Sequence, residues 1–213
     1  MIYKDRKDAG LQLASRLTKY KDREDVLVLA LPRGGVVIGY EVAKALNCLL
    51  DIIIIRKIGF PGQSELAIGA VSETGAVVLN EDIISTYTVS KEYIEEEISR
   101  QKKEILRRIT LYRSGKGIPP LDGKIIILVD DGVATGATIK AAISTLKNEK
   151  ILRLVAALPV SSKDAEEEIK KTVDEWVCPE TPVDFAAVGN YYQDFTQVSD
   201  EEVVELLKQK TKD

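Results

Sequence analysis

The chain has 213 residues, 45% hydrophobic and 30% charged, which supports a real core in one or two domains. Its formal net charge of −4 argues against a broad nucleic-acid or anionic-membrane surface. Histidine is absent, which excludes a Ser-His-Asp triad, a Cys-His dyad and HExxH zinc chemistry, so any reaction runs on carboxylates, Lys, Arg, hydroxyls, backbone dipoles or a bound metal.

In chain order, Ala9 to Tyr20 reads as a helix, with Leu11, Ala14, Leu17 and Tyr20 on one face. Val26 to Leu31 reads as a strand buried on both faces, Pro32-Arg33-Gly34-Gly35 as a turn, and Val37 to Leu46 as a helix. Leu49 to Ile55 is expected as a second buried strand, and Arg56 to Ser64, with Gly59 and Pro61-Gly62, as a loop. Leu66 to Leu79, broken near Gly75, suggests two short strands.

Ser90 to Tyr112 is expected as one long amphipathic helix, since Ile94, Ile98, Ile105, Ile109 and Tyr112 recur at helical spacing. Glu95 to Glu97 near its start and Arg107, Arg108 and Arg113 near its end match the helix dipole, and the arginines read as a solvated helix end. The connector from Gly115 to Gly123 leads to the central acidic strand. Beyond it, Leu152 to Val160 is expected as a strand, Ser162 to Lys171 as a helix and Val183 to Val188 as a last strand. Ser199-Asp200-Glu201-Glu202 has the form of a capping box that opens a C-terminal helix. Strands alternating with helices imply an α/β fold with a mainly parallel sheet flanked by helices.

The Cys48 and Cys178 thiols are isolated in sequence, no secretory leader is visible in Met1 to Asp8, and no apolar run is long enough for a membrane span, so a cytoplasmic location is expected. The most informative segment is Ile125-Ile126-Ile127-Leu128-Val129-Asp130-Asp131-Gly132-Val133-Ala134-Thr135-Gly136-Ala137-Thr138. An apolar strand runs into two carboxylates, then a Thr-Gly-x-Thr turn and a helix. Open α/β sheets bind ligands at the carboxyl ends of their strands, and a turn before a helix aims N–H groups and a positive dipole end at an anion. The segment therefore reads as a phosphate cup with two acids beside it. No Gly-x-Gly-x-x-Gly fingerprint and no P-loop Gly-x-x-x-x-Gly-Lys-Ser/Thr is present.

Leu128 to Thr138 resembles the phosphoribosyl-pyrophosphate motif of the type I phosphoribosyltransferases. Asp5-Arg6 with Ala9-Gly10, Ala30 to Val36, Arg56-Lys57, Glu65 to Val71 and Val188 to Phe195 resemble one branch of that family, whose acceptors are poorly defined. The resemblance implies a Rossmann-like core carrying a small hood, as a single domain over 1–213 with cap elements from 57–79 and the C-terminal segment. It also implies phosphoribosyl pyrophosphate as donor, a small nitrogenous acceptor, Mg²⁺ as cofactor and a homodimer, with no nucleic-acid or membrane partner.

Residue by residue, the resemblance assigns the ribose 5-phosphate to Ala134, Thr135, Gly136, Ala137 and Thr138. It gives the ribose hydroxyls, directly or through hydrated Mg²⁺, to Asp130 and Asp131, where many relatives carry Glu-Asp. Pyrophosphate falls to Arg33, Gly34, Gly35 and Lys57, with Arg56 and Lys57 opening a mobile lid. Tyr191 or Tyr192 is placed to stack on the acceptor. A non-catalytic sensor of the donor or of a nucleotide, and a hydrolase acting on phosphoribosyl compounds, remain open beside transfer.

Overall fold

The computed structural model describes residues 2–209. A five-stranded parallel sheet holds β2 (Leu49–Ile52), β1 (Val26–Ala30), β6 (Ile125–Val129), β7 (Arg153–Ala157) and β8 (Glu175–Val177), in that spatial order. β1 and β6 lie inside it and are buried at every position. Their side chains alternate between two cores: Val28 and Ile127 join one, Leu29 and Leu128 the other. That two-sided burial is why these strands are uninterrupted apolar runs.

On one face pack α1 (Arg6–Ser15), α2 (Gly34–Leu46), the C-terminal half of α4 (Lys91–Arg113) and α7 (Asp200–Lys208), through Leu13, Ile38, Ile105 and Val203. On the other pack α5 (Ala137–Lys147) and α6 (Lys163–Ile169), through Ile139, Ile143 and Ala165. Each fully buried Leu or Ile contributes about 1.5–3 kcal/mol. The chain leaves β1 toward β2 on one side, whereas β6 joins β1 on the other. The strand order therefore reverses between β1 and β6, and ligands of open α/β sheets bind at such a switch point.

A second, antiparallel sheet is made of β3 (Ile55–Phe60), β4 (Gln63–Ser72) and β5 (Val77–Leu79), with α3 (Glu81–Thr86) following. Ile58 and Ile68 pack it against Ile94 of α4. The long helix forms as its spacing predicts, and the Ser90 hydroxyl caps it by accepting from the Tyr93 N–H at 3.2 Å. Ser199 caps α7 in the same way, accepting from Glu202 at 3.1 Å. No described helix is long and apolar enough to cross a membrane.

Several sequence expectations are corrected. The first helix begins earlier, at Arg6 with Asp5 as its cap, and ends at Ser15, with Thr18–Tyr20 as a separate 3₁₀ turn. Leu49 to Ile55 is not one buried strand: β2 ends at Ile52, lies at the sheet edge with Leu49 44% exposed, and β3 starts at Ile55 in the other sheet. The expected loop from Arg56 is the first arm of a hairpin. Its glycines and proline serve a register shift at Gly59 and a tip at Pro61-Gly62, where Gly62 takes φ +76°.

Val183 to Val188 forms no strand, and Val183 is 88% exposed. The last strand is Glu175–Val177, too short and polar to show as a pattern, which fills the free edge of β7. Arg113 is not at a solvated helix end. Its side chain is buried and paired with the buried Glu73, while Arg107 forks onto Glu104 and Arg108 donates to the same carboxylate through Nε alone.

Candidate active site

The switch point brings two turns together. Pro32 to Gly35 leaves the carboxyl end of β1, and Asp130 to Gly136 leaves that of β6. The peptide between Pro32 and Arg33 is cis. The turns touch: a Cβ on Gly35 would lie 2.9 Å from the Asp130 Cα, and one on Gly34 would overlap the Asp131 Oδ2. Glycine is the residue that permits this approach.

After the acids, the chain is pinned from behind. Val133 donates to the Val160 carbonyl at 3.0 Å, and the Ser162 hydroxyl donates to the Ala134 carbonyl at 2.6 Å. Gly136 then adopts φ +75° as the cap of α5, a left-handed conformation that costs glycine little. The first N–H groups of α5 have no intrahelical partner, and the helix presents its positive end here. A cleft of ≈ 200 Å³ is bounded by this turn, Ala134 through Thr138, together with Asp130, Lys57 of β3 and Val188. The structure thus gathers the residues expected to form the phosphate cup, one acid and one hood cation around a single space.

The two acids are held differently. Asp130 Oδ1 accepts from the Asp131 N–H at 2.8 Å, and Asp130 borders the cleft. Asp131 Oδ2 accepts from Arg6 Nε at 2.8 Å, and its carbonyl accepts from the Tyr192 hydroxyl at 2.5 Å. Burial pushes the Asp130 carboxyl well above the usual carboxylate range, and the charge of Asp131 adds to this. Burial also raises Asp131, with the Arg6 guanidinium opposing.

The remaining site residues are dispersed. Arg56 and Lys57 are neighbours on a strand, so they point to opposite faces. Lys57 borders the cleft, whereas Arg56 Nε donates to Gln101 Oε1 of α4 at 2.9 Å. Burial lowers the Arg56 pKa. The Arg33 side chain lies 3.8 Å from Asp200 Oδ1 of α7. Both tyrosines already have partners: Tyr191 stacks on Phe185 at 5.5 Å, and the buried Tyr192 packs between Tyr3 and Phe195. Val188, rather than either tyrosine, walls the cleft. Arg6 has no role in the sequence reading, although Asp5-Arg6 belongs to the resemblance, because nothing local links it to residue 131.

A parallel sheet with helices on both faces, an antiparallel hood, and an acid pair followed by a Thr-Gly-x-Thr turn at the switch point define the type I phosphoribosyltransferase fold. The family model of the phosphoribosyl transferase domain matches residues 2–194, and the chain belongs to that family. It is 42% identical over 212 residues to two Mycobacterium tuberculosis proteins, of strains CDC 1551 and H37Rv, that carry the provisional name of phosphoribosyl transferase. The match takes in all of this chain and 48% of each relative, so the chain spans about half the length of these curated relatives. Among solved structures, TT1426 from Thermus thermophilus is similar at a TM-score of 0.83 and 42% identity, over 97% of this chain and 98% of that one. AQ2163 from Aquifex aeolicus, at 14% identity and a TM-score of 0.50 over 84% and 77% of the chains, shares the fold alone.

Proposed function

We propose that this domain transfers the phosphoribosyl group of phosphoribosyl pyrophosphate to a ring or amide nitrogen of a small acceptor, a nucleobase being one candidate class, and releases pyrophosphate. The observation that carries the reading is the cleft shared by the Thr-Gly-x-Thr turn, Asp130 and Lys57. The turn from Ala134 to Thr138 holds the 5-phosphate through backbone N–H groups and the Thr135 and Thr138 hydroxyls. Asp130 holds the ribose hydroxyls from the cleft side, with Asp131 fixed beside it by Arg6. Gly34 and Gly35 offer N–H groups to the pyrophosphate, with Arg33 and Lys57 as cations.

The residues fit a hydrated Mg²⁺. Asp130 stands at the cleft with Asp131 next to it in the chain, while the described residues include no group of three or more acidic, Cys or His side chains that forms a full protein cage. Mg²⁺ keeps several waters and binds through one or two carboxylates plus substrate phosphates. When bound, it neutralises charge on the pyrophosphate. The protein's part is positioning and electrostatics. Lys57 stabilises the departing oxygen as the C1–O bond breaks, Asp130 steadies the ribose as C1 gains positive character, and the acceptor nitrogen bonds to C1 and gives its proton to solvent or the released pyrophosphate. Val188 forms the apolar wall on which the acceptor rests.

A sensor that binds the donor without transfer draws on one observation, the engagement of Arg56 by Gln101 away from the cleft. Calorimetry with phosphoribosyl pyrophosphate and Mg²⁺ tests the site. Micromolar binding by the wild type and its loss in a folded Asp130→Asn/Asp131→Asn variant are expected. Retained binding in that variant sinks the assignment of the acids. Pyrophosphate release with a panel of nitrogenous acceptors then separates transfer from sensing, and ribose-5-phosphate release without acceptor would reveal hydrolysis.

A further inference from the structure

We infer that Arg6 is a positioning residue for the donor site: it locks Asp131 against the Gly34 turn and ties that acid to the 194–196 segment, without itself facing the cleft. The inference rests on the donor-binding reading above. Three contacts hold the guanidinium. Its Nε donates to Asp131 Oδ2 at 2.8 Å, its Nη1 donates to the Thr196 carbonyl at 2.8 Å, and its Cζ sits 3.9 Å from the centre of the Phe195 ring. The side chain is only 10% exposed. An arginine so held has little freedom left, and its planar fork imposes direction on the carboxylate it meets.

Arg6 is brought there by the chain on either side of it. Residue 3 pairs with the segment that ends in Phe195: the Tyr3 N–H donates to the Tyr191 carbonyl at 2.8 Å, and the Gln193 N–H donates to the Tyr3 carbonyl at 2.8 Å. The Asp194 N–H donates to the Lys4 carbonyl at 2.9 Å. Asp5 then caps α1 by accepting from the Asp8 N–H at 2.8 Å, so Arg6 opens a fixed helix. With Arg6 on its carboxylate and Tyr192 on its carbonyl, residue 131 is gripped at both ends.

The space this pair fills is the space beneath the pyrophosphate turn. A Cβ on Gly34 would stand 2.8 Å from Arg6 Nε and would also overlap the Asp131 carboxylate. Asp131 therefore acts as a fixed anion against that turn, leaving Asp130 as the acid on the cleft side. Removing Arg6 frees the Asp131 carboxylate to rotate and loosens both the acid pair and the turn. Partners that orient a ligating carboxylate typically change affinity about 10–100-fold when removed.

The test is calorimetric binding of phosphoribosyl pyrophosphate with Mg²⁺ to wild type, Arg6→Gln, Arg6→Lys, Asp131→Asn and the Arg6→Gln/Asp131→Asn double variant, each checked for cooperative unfolding. Arg23→Gln, at an exposed pair with Asp25, serves as the control and binds as wild type. Arg6→Gln is expected to weaken binding about 10–100-fold. Arg6→Lys should recover part of the loss, and the double variant should be no weaker than the weaker single one, because both changes remove one interaction. A folded Arg6→Gln that binds as wild type, or losses that multiply in the double variant, overturns the inference and leaves the donor reading standing. If Arg6→Gln does not fold, Arg6→Lys carries the same comparison with Asp131→Asn. A wild type that binds no donor removes the reading and the inference together.

Discussion

At Gly34 the start of α2 runs so close to the Asp131–Arg6 pair that one methyl group has no place to go. Gly34→Ala is therefore expected to cost about 1–3 kcal/mol, as overpacking of a filled site does. The measurement is urea unfolding, with Gly117→Ala as the comparison, since a Cβ there meets nothing within 4 Å. Equal midpoints for the two variants would show that the turn moves aside freely. Sequence reading marks Gly34 and Gly35 through the Pro-Arg-Gly-Gly turn, and the structure adds the neighbour that makes each of them tight. The roles of Tyr191 and Tyr192 are less legible. An aromatic pair near a site invites a stacking assignment, but Phe185 covers one ring, and Tyr3 and Phe195 flank the other.

Within β3, strand geometry divides two adjacent cations. Lys57 borders the cleft and Arg56 bonds Gln101, so their substitutions should separate. Lys57→Gln is expected to weaken donor binding several-fold with little change in unfolding. Arg56→Gln should instead lower the unfolding midpoint through the lost contact to α4, with a smaller effect on binding. Parallel calorimetry and denaturation of both variants check this, and identical behaviour would show that the strand's alternation does not govern them. Helix α4 offers a pH test. Arg107 and then Arg108 hydrogen-bond Glu104, holding its carboxyl down at about 2 against an ordinary 4.5. A depressed folded pKa stabilises fully above the unfolded value, and that contribution fades as pH falls from about 4.5 toward 2. Both arginines reach solvent, so screening keeps the effect small. The stability gap between wild type and Glu104→Gln should be open at pH 6 and shrink by pH 3, as read from urea unfolding at each pH.

Across the molecule, the two sheets are tied by a buried ion pair. Arg113 at the end of α4 is paired with Glu73 in the β4–β5 turn and lies 3.8 Å from Asp51 of β2. Glu73 also accepts from the Ile54 N–H at 2.8 Å, in the link that carries the chain from β2 to β3. Two buried nitrogens of Arg113, Nε and Nη1, have no hydrogen-bond partner among the described residues. Burial raises the Glu73 pKa, and Arg113 opposes the rise. Removing one partner of such a pair costs about 3–5 kcal/mol, whereas an apolar replacement of both is often neutral. Arg113→Met alone should therefore destabilise strongly, and Arg113→Met with Glu73→Leu should regain most of the loss in thermal unfolding. A double variant as unstable as the single would show that this tie needs charge.

The sequence by itself determined the parallel-sheet core, the long amphipathic helix, the helix cap at Ser199, and the strand–turn–helix that carries the acid pair and the Thr-Gly-x-Thr turn. Each of these rests on local chemistry: two-sided burial writes an unbroken apolar run, helical packing writes a 3.6-residue period, and an anion cup needs Gly and Thr at a strand end. Tertiary structure alone decided that Arg6 meets Asp131, that Arg113 meets Glu73, that Arg56 and Lys57 part company, and that Glu175–Val177 rather than Val183–Val188 closes the sheet. These are pairings between residues far apart in the chain, or choices of which segment fills an available edge. They depend on which surfaces the fold brings within reach, and no local periodicity carries that information.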